Sequence, residues 1–239
     1  MPEAKPCSDQ VAIVTGASQG IGLAIAEALA RLGSRVVLLA RRRTRLEKAA
    51  AQVAALGGET LSLVCDIQKA EDVREAFDEV LGRFGRADVL VNNAGVGLFG
   101  PVQDFSDADW ETVLNTNLRG TFYCSKTVIP QMIRQRSGHI INIASLAAKN
   151  GFAGGAVYCA SKFGLLGFSY SMAEDLRSYG IRVSVICPGS VLTDFSPHRG
   201  KDPKKMLRST DVARVVELLV QQPAQSFISE VLLRPTQKP

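Results

Sequence analysis

The sequence predicts an α/β fold, a doubly wound parallel sheet of about seven strands with helices on both faces. Two observations on the 239 residues predict it. Short β-branched runs alternate with longer amphipathic segments, which is the pattern of successive βαβ units. Residues 35–40 and 183–187 are apolar almost throughout, as strands are when helices cover both faces of a parallel sheet.

The elements can be placed in order along the chain. Strands are predicted where apolar residues form short runs, over residues 11–15, 35–40, 60–65, 89–92, 140–144, 182–186 and 231–233. Helices are predicted where apolar residues recur every three or four positions, over residues 21–32, 44–56, 70–84, 107–136, 157–179 and 210–221. Residues 190–209, rich in Pro, Gly and Lys, are predicted to form a loop or lid. With no repeat or linker, residues 8–235 are predicted to be one domain.

Composition excludes several classes of function. A hydrophobic content of 46% with 21% charged residues is typical of a soluble globular protein. The net charge of +5 is scattered and aromatic residues make up 6%, so we expect no nucleic-acid partner. No apolar run has the length of a membrane helix or signal peptide. The odd number of cysteines, five, without a Cys-x-x-Cys pair indicates reduced thiols and a cytoplasmic location. His139 and His198 lack the spacing of metal ligands, and no metal is predicted.

A glycine-rich turn follows the first strand and begins the first helix. Residues 15–22 read Thr-Gly-Ala-Ser-Gln-Gly-Ile-Gly, with glycines at Gly16, Gly20 and Gly22. Glycine permits a tight turn and close approach of the backbone to a pyrophosphate, and a helix N-terminus offers N–H groups to an anion. The turn therefore predicts a dinucleotide site of Rossmann type. A tight turn without a ligand is the alternative.

Four further segments follow in order: Asn-Asn-Ala-Gly at residues 92–95, then Asn117, Ser145 and a Tyr-x-x-x-Lys pair at Tyr158 and Lys162. With the glycine turn they resemble the short-chain dehydrogenase/reductase family, over about residues 10–235. Among its members the chain resembles NADP-dependent 3-oxoacyl carrier-protein reductases and 3-hydroxy acid dehydrogenases. The resemblance implies hydride transfer between NADP(H) and a carbonyl or secondary alcohol.

Tyr158 and Lys162 are four residues apart, so on a helix both side chains share one face. A tyrosine has a pKa near ~10 and needs nearby positive charge to act as a base at neutral pH, which Lys162 would provide. The resemblance implies that Tyr158 transfers the proton, that Lys162 also holds the nicotinamide ribose, that Ser145 hydrogen-bonds the substrate oxygen and that Asn117 supports a proton-relaying water chain. Alternatively, Ser145 caps a turn and Asn117 braces a helix.

The resemblance also implies a set of residues that contact the dinucleotide. They are Gly16, Ser18, Gln19, Gly20, Ile21, Gly22, Arg41, Arg42, Asp66, Ile67, Asn93, Ala94, Gly95, Tyr158, Lys162, Pro188, Gly189, Val191 and Thr193. For Asp66, at the adenine, and Thr193, at the nicotinamide carboxamide, capping a helix is the alternative. Asn92 and Asn93 are expected mainly to brace the turn after the fourth strand.

The second strand ends in Ala40, followed by three arginines. NAD-specific relatives place an acid at this point, which hydrogen-bonds the ribose 2′-hydroxyl. Alanine leaves room for a 2′-phosphate, and Arg41, with Arg42 as a second contact, can bind it through charge-assisted hydrogen bonds. We therefore expect NADP(H). The alternative is that these arginines are merely exposed to solvent in the turn before the helix. Gln19 weakens the expectation of NADP(H), because many NADP-using relatives have a basic residue at that position.

The substrate is expected to be a small carbonyl or alcohol in an apolar pocket, lined by Leu98, Phe99, Leu146, Phe152, Val191 and Phe195. The lid is basic, with Arg199, Lys201, Lys204, Lys205 and Arg208 against Asp202, and either attracts an anionic group or is simply solvated. Residues 229–239 lack the Val-Asp-Gly-Gly ending of 3-oxoacyl carrier-protein reductases, which puts that substrate in doubt.

Two apolar helices, residues 107–136 and 157–179, are expected to form a homodimer or homotetramer interface. A module that senses NADP(H) without turnover is an alternative function. A nucleotide-sugar epimerase, which shares the Tyr-x-x-x-Lys pair, is disfavoured because its glycine turn has another spacing.

Overall fold

The computed structural model describes residues 5–195, 200 and 202–239, and within these ranges seven strands form one parallel sheet. The strands are β1 (Val11–Thr15), β2 (Arg35–Ala40), β3 (Thr60–Val64), β4 (Val89–Asn92), β5 (Gly138–Ile143), β6 (Ile181–Pro188) and β7 (Glu230–Leu233). Their order across the sheet is β3-β2-β1-β4-β5-β6-β7, and every neighbouring pair is parallel. The chain thus winds outward from β1 to one edge, returns to the centre at β4 and winds to the other edge, which confirms the predicted doubly wound sheet.

The helices lie on the two faces of the sheet. They are α1 (Gly20–Arg31), α2 (Arg43–Ala54), α3 (Ala70–Phe84), α4 (Asp107–Leu114), α5 (Gly120–Gln135), α6 (Ala156–Leu176) and α7 (Ser209–Val220). One buried cluster joins α1, α2 and α7 to the sheet, and another joins α3, α5 and α6 to its opposite face. Across the described ranges, none of the helices combines the length and apolarity that a membrane crossing needs.

Alternating side chains of each strand enter the two clusters. Ala12 and Val14 of β1 pack on the face of α1, whereas Val11 and Ile13 pack on the face of α3. Because successive side chains of a strand point to opposite faces, a strand covered on both sides must be apolar at every position. This burial explains the continuous apolar runs in the sequence.

The predicted helix over residues 107–136 is helical as far as Gln135, but it is not α-helical throughout. A π-helical segment, Asn115–Arg119, separates α4 from α5. Its wider turn is closed by the N–H of Gly120, which donates to the carbonyl of Asn115. Thr116 and Asn117 are buried in this segment, and the bonds that hold Asn117 there run to distant parts of the chain. The predicted helix over residues 157–179 ends at Leu176, and its last three residues form a 3₁₀ turn.

Candidate active site

A cavity of about 680 Å³ opens at the carboxyl ends of the strands. It spans the point where β1 and β4 lie side by side and the chain direction across the sheet reverses, which is where doubly wound folds bind ligands. All of the predicted catalytic and cofactor residues line it except Gly22 and Asn117, and all of the predicted substrate-pocket residues line it except Leu98. The fold therefore gathers side chains from six strand ends into one site.

The glycine turn is tied to the turn after β4. Thr15 Oγ1 accepts hydrogen bonds from the backbone N–H groups of Asn93 and Ala94, each at 3.0 Å. Asn93 Nδ2 donates back to the carbonyl of Thr15 at 2.9 Å. Gly16 has φ +64°, in the left-handed region that favours glycine. Asn93 thus braces the turn, as expected, and also lines the cavity.

Gly22 serves the packing of helix on strand and does not line the cavity. A Cβ at this position would lie 2.4 Å from the carbonyl oxygen of Gly16 and 2.5 Å from Asn93 Nδ2. Neither a backbone carbonyl nor a hydrogen-bonded amide can move aside at low cost. Gly22 thus supports the turn from beneath, which is the packing of helix on strand that the glycine pattern predicted, and its contact with a dinucleotide stays a prediction.

Asn92 differs from its expected role of bracing the turn. Its Nδ2 donates to Ser125 Oγ at 3.1 Å and to Asn142 Oδ1 at 2.9 Å. Asn142 in turn donates to Ser169 Oγ at 2.8 Å. Asn92 thus belongs to a buried polar network that joins β4 and β5 to α5 and α6. Its neighbour Asn93 points the opposite way, into the turn.

The end of β2 carries the charge expected of a phosphate site. Arg41 and Arg42 line the cavity beside the buried Ala40. Gln19 Oε1 accepts hydrogen bonds from Arg42 Nη2, at 3.4 Å, and from Arg45 Nη1. Arg45, on the first turn of α2, was not predicted, because nothing in the sequence pairs it with a residue 26 positions away. The side-chain amide of Gln19 thus holds two guanidinium groups beside the glycine turn, where the sequence has Gln19 in place of the expected basic residue.

Asp66 and Thr193 both close local turns, and Asp66 does not cap α3 as the alternative had it. Asp66 Oδ1 accepts from the backbone N–H of Gln68 at 3.1 Å, and the N-cap of α3 is Lys69. Thr193 Oγ1 accepts from the N–H of Phe195 at 3.3 Å. Both residues line the cavity.

The lid lies partly outside the described residues. Lys204 and Lys205 are exposed in a short 3₁₀ turn capped by Asp202, and Arg208 is the N-cap of α7. The predicted lid residues Arg199 and Lys201, with His198, fall in ranges that the structure leaves undescribed.

Tyr158 and Lys162 lie on the first turns of α6 and face the same site. Lys162 Nζ is 5.9 Å from the centroid of the Tyr158 ring. Lys162 is 4% exposed, and its Nζ donates to the carbonyl of Ile143 at 2.9 Å. Ser145 Oγ accepts from the N–H of Ala147 at 3.1 Å, so the serine does cap a turn while its hydroxyl lines the cavity beside Tyr158.

The charge states of this pair differ from the expectation. Burial raises the pKa of Tyr158 to about 12, against the smaller lowering by a hydrogen bond with Ser145. Burial also lowers the pKa of Lys162 to about 8. Lys162 is not among the groups that shift the pKa of Tyr158, so the predicted lowering by Lys162 is not found among the protein's own groups. Tyr158 is protonated at neutral pH and can act as an acid.

Asn117 lies behind Tyr158 and Lys162. Its Oδ1 accepts from the N–H of Val96 at 2.8 Å, and its Nδ2 donates to the carbonyl of Val96 at 2.9 Å and to Ser161 Oγ at 3.0 Å. The side chain fixes the loop after β4 against α6, as the bracing alternative described, and its support of a water chain stays a prediction. A Cβ at Gly95 would lie 3.2 Å from Asn117 Oδ1 and 3.8 Å from Lys162 Nζ, so glycine lets the loop approach both groups.

Comparison with known proteins agrees with this architecture. The profile of the short chain dehydrogenase family matches residues 10–204. A 3-oxoacyl-acyl-carrier-protein reductase of Synechocystis sp. is 37% identical over 228 residues, 92% of each chain. A sepiapterin reductase of Chlorobaculum tepidum is 37% identical over 237 residues, 95% of this chain and 96% of its own. A metagenomic short-chain oxidoreductase, solved in complex with NADP, superposes with a TM-score of 0.87 at 45% identity, covering 98% of this chain and all of its own. The chain therefore belongs to the short chain dehydrogenase family of oxidoreductases.

Proposed function

We propose that this protein is an NADP(H)-dependent oxidoreductase that transfers a hydride between nicotinamide and a carbonyl or secondary alcohol, with Tyr158 as general acid and base. The observation that carries the proposal is the convergence of Tyr158, Ser145 and Lys162 at the end of the cavity that the glycine turn begins. A proton donor, a second hydroxyl and a buried cation in one apolar site are the groups that carbonyl reduction requires.

Residues 8–235 would act as one domain around the cofactor, and the cavity fits a dinucleotide with a 2′-phosphate. The glycine turn would approach the pyrophosphate, and Arg41 and Arg42, backed by Arg45, would bind the phosphate where Ala40 leaves room. The remaining contacts would come from Ser18, Ile21, Asp66, Ile67, Ala94, Gly95, Pro188, Gly189, Val191 and Thr193. When bound, the cofactor supplies the hydride.

The chain's own residues would bind the substrate and move the proton. The carbonyl oxygen would accept hydrogen bonds from the hydroxyls of Ser145 and Tyr158, which lie side by side. Because burial keeps Tyr158 protonated, its hydroxyl can give a proton to the alkoxide that forms during reduction. Lys162 would return a proton to the tyrosine, and Asn117 would hold the loop and α6 in register around both.

Replacing Tyr158 by Phe tests this proposal. Losing a general acid costs ~10²–10⁴-fold in kcat, whereas NADPH affinity should stay within about twofold, since only one hydroxyl is removed. Turnover is followed by NADPH oxidation with diketones, oxo esters, aldehydes and quinones, and affinity by fluorescence titration. Tyr179→Phe, at an exposed tyrosine far from the cavity, is the matched control. Turnover of Tyr158→Phe within a few-fold of wild type would remove the mechanism, and NADPH binding without turnover of any carbonyl would favour a sensing module.

Two further properties belong to the proposal. A homodimer or homotetramer would cover the exposed aromatic side chains of α4, α5 and α6, which include Trp110, Phe122 and Phe163. Light scattering at micromolar concentration tests this, since a single monomeric mass contradicts it. A cytoplasmic location agrees with the five cysteines, all of which are free and buried.

A further inference from the structure

Three phenylalanine rings line the cavity near Tyr158: two contact its ring, and the third packs on one of those two. Phe99 follows β4, Phe152 precedes α6 and Phe195 follows β6. The ring centroids of Phe99 and Phe195 lie 5.3 and 5.9 Å from that of Tyr158, and those of Phe99 and Phe152 are 6.1 Å apart. Each of the three is 42–49% exposed. Large aromatic side chains that converge on one buried hydroxyl and stay half-exposed mark a surface for an apolar ligand.

Two glycines leave the space that these rings occupy. A Cβ at Gly97 would lie 2.7 Å from the ring of Phe99 and 2.8 Å from the ring of Phe195. A Cβ at Gly155 would lie 2.5 Å from the ring of Phe152. Any larger residue at either position would push a ring out of its place. The rings are therefore held close to the backbone, with their free faces toward the cavity.

The charges of the cavity lie away from the rings. Among the described lining residues the charged side chains are Arg41, Arg42, Asp66 and Lys162. The first three follow β2 and β3, on the far side of β1, and Lys162 is buried with its Nζ bonded to the carbonyl of Ile143. The described wall around Tyr158 thus offers apolar rings and no exposed charge to a substrate.

We propose that Phe99, Phe152 and Phe195 form a slot for an aromatic ring of the substrate, so that the enzyme acts on neutral carbonyl compounds bearing an aryl group. The inference rests on the proposed function and names its substrate class. With the carbonyl oxygen at Tyr158 and Ser145, the rest of the molecule extends toward the mouth and meets the rings. Edge-to-face and offset contacts between aromatic rings add to the burial of apolar area, so an aryl group gains more there than a saturated ring of similar size.

The test compares benzylacetone with its cyclohexyl analogue, in which the phenyl ring is hydrogenated. Two methylene groups separate ring from carbonyl in both ketones, so their carbonyl reactivities match. Wild type should show kcat/KM at least about fivefold higher for the phenyl ketone, because each aromatic pair contributes about two- to tenfold. Phe99→Leu should reduce this ratio to within about twofold of one. Leu218→Ala, at an exposed apolar residue on α7 that lies outside the cavity and the proposed interface, should leave the ratio unchanged.

Measuring the affinity of the ketones separately from their turnover distinguishes a failure of the slot from a failure of the proposed function. Calorimetric titration of each ketone into the enzyme–NADP⁺ complex, which has no hydride to give, reports the affinity of the ketone without turnover. Diacetyl, which has no ring, reports turnover without the slot. If diacetyl is reduced while the phenyl and cyclohexyl ketones have nearly equal kcat/KM and nearly equal affinity, the slot is overturned and the proposed reductase activity stands. Selective binding of benzylacetone without reduction of any carbonyl would keep the slot and overturn the reductase.

A charged analogue tests the neutrality of the substrate. Benzylacetone with a para-carboxylate should have a kcat/KM roughly tenfold or more below that of benzylacetone, since the slot would desolvate the anion without pairing it. Equal or faster turnover of the carboxylate would contradict this part of the inference and point to capture of the anion by the basic lid.

Discussion

The two halves of the cavity are built in different ways. On the side of β1, backbone and short side chains are hydrogen-bonded to one another, as Thr15 and Asn93 are. On the side of α6, the half-exposed rings of Phe99 and Phe195 contact Tyr158, and Phe152 packs on Phe99. The first half leaves little room for adjustment, whereas rings at the end of flexible side chains can move with the ligand. We infer that the first half selects one cofactor and that the second sets a substrate class.

The largest expected effect comes from Gly22→Ala in the hydrogen-bonded half. The added methyl would meet the carbonyl of Gly16 and the amide of Asn93, so the turn itself must shift. We expect NADPH affinity to fall by roughly a hundredfold and the free energy of unfolding by about 1–3 kcal/mol. Fluorescence titration and chemical denaturation measure the two quantities.

Gly82→Ala, on α3, is the matched control because a Cβ there meets nothing within 4 Å. It should leave affinity unchanged and stabilise the helix slightly. Affinity of Gly22→Ala within a few-fold of wild type would mean that the turn is less rigid than its hydrogen bonds indicate.

The next largest effect is expected for Arg41→Ala. A hydrogen bond to a charged group contributes about 1.5–3 kcal/mol, so NADPH affinity should fall roughly ten- to a hundredfold while NADH affinity stays nearly unchanged. Ala40→Asp should shift the preference the same way by repelling the phosphate. Arg43→Ala is the control, since Arg43 is exposed and lies near Glu47, at 3.9 Å. Equal losses for both cofactors, or a wild type that prefers NADH, would remove the phosphate role of Arg41.

Gly97→Ala places the same methyl group in the other half and should have a smaller effect. The atoms it would meet belong to the rings of Phe99 and Phe195, which can rotate away. We expect kcat/KM for aryl ketones to fall about three- to tenfold, with NADPH affinity unchanged. A loss of NADPH affinity comparable to that of Gly22→Ala would show that a change in the aromatic half also alters the half that binds the cofactor.

The smallest effect concerns a buried histidine outside both halves. His139, on β5, contacts Ser184 Oγ at 2.8 Å, and burial, with the nearby charge of Arg182, lowers its pKa to about 3. The unfolded chain, with a pKa near ~6.5, then binds the extra proton. The contribution of neutral His139 to the free energy of unfolding is therefore fully present above the unfolded-state pKa of ~6.5 and is lost as the pH falls toward 3. Between about pH 7.5 and 6.5 the loss should be below ~0.5 kcal/mol. Denaturation at several pH values measures it, and His139→Gln should flatten this part of the profile.

Much of the fold could be predicted from the sequence because it depends on local pattern. The bounds predicted for β2, α3 and β4 agree with the structure, since buried strands and amphipathic helices have distinct periods. The π-helical segment Asn115–Arg119 could not be predicted, because it depends on hydrogen bonds between Asn117 and Val96, 21 residues away.

The same distinction applies to the site. The glycine turn and the Tyr-x-x-x-Lys pair are fixed by local backbone geometry, and the sequence located both. The pairing of Gln19 with Arg45, the packing of Phe99 and Phe195 on Tyr158 and the packing of Phe152 on Phe99 are tertiary contacts. The family resemblance predicted an apolar pocket there but not how its rings are arranged. The pKa of Tyr158 was also missed, because desolvation depends on burial that the sequence does not reveal.

Deuterium transfer tests the central claim most directly. NADPH carrying deuterium at the transferable position of the nicotinamide, prepared on each face in turn, is incubated with enzyme and benzylacetone, and the alcohol is analysed by mass spectrometry and NMR. The account predicts one deuterium at the carbinol carbon for each NADPH oxidised, from one face only. It also predicts ~10²–10⁴-fold slower formation of this product by Tyr158→Phe at saturating NADPH. Alcohol without deuterium at that carbon, or equal rates for the two proteins, would contradict it.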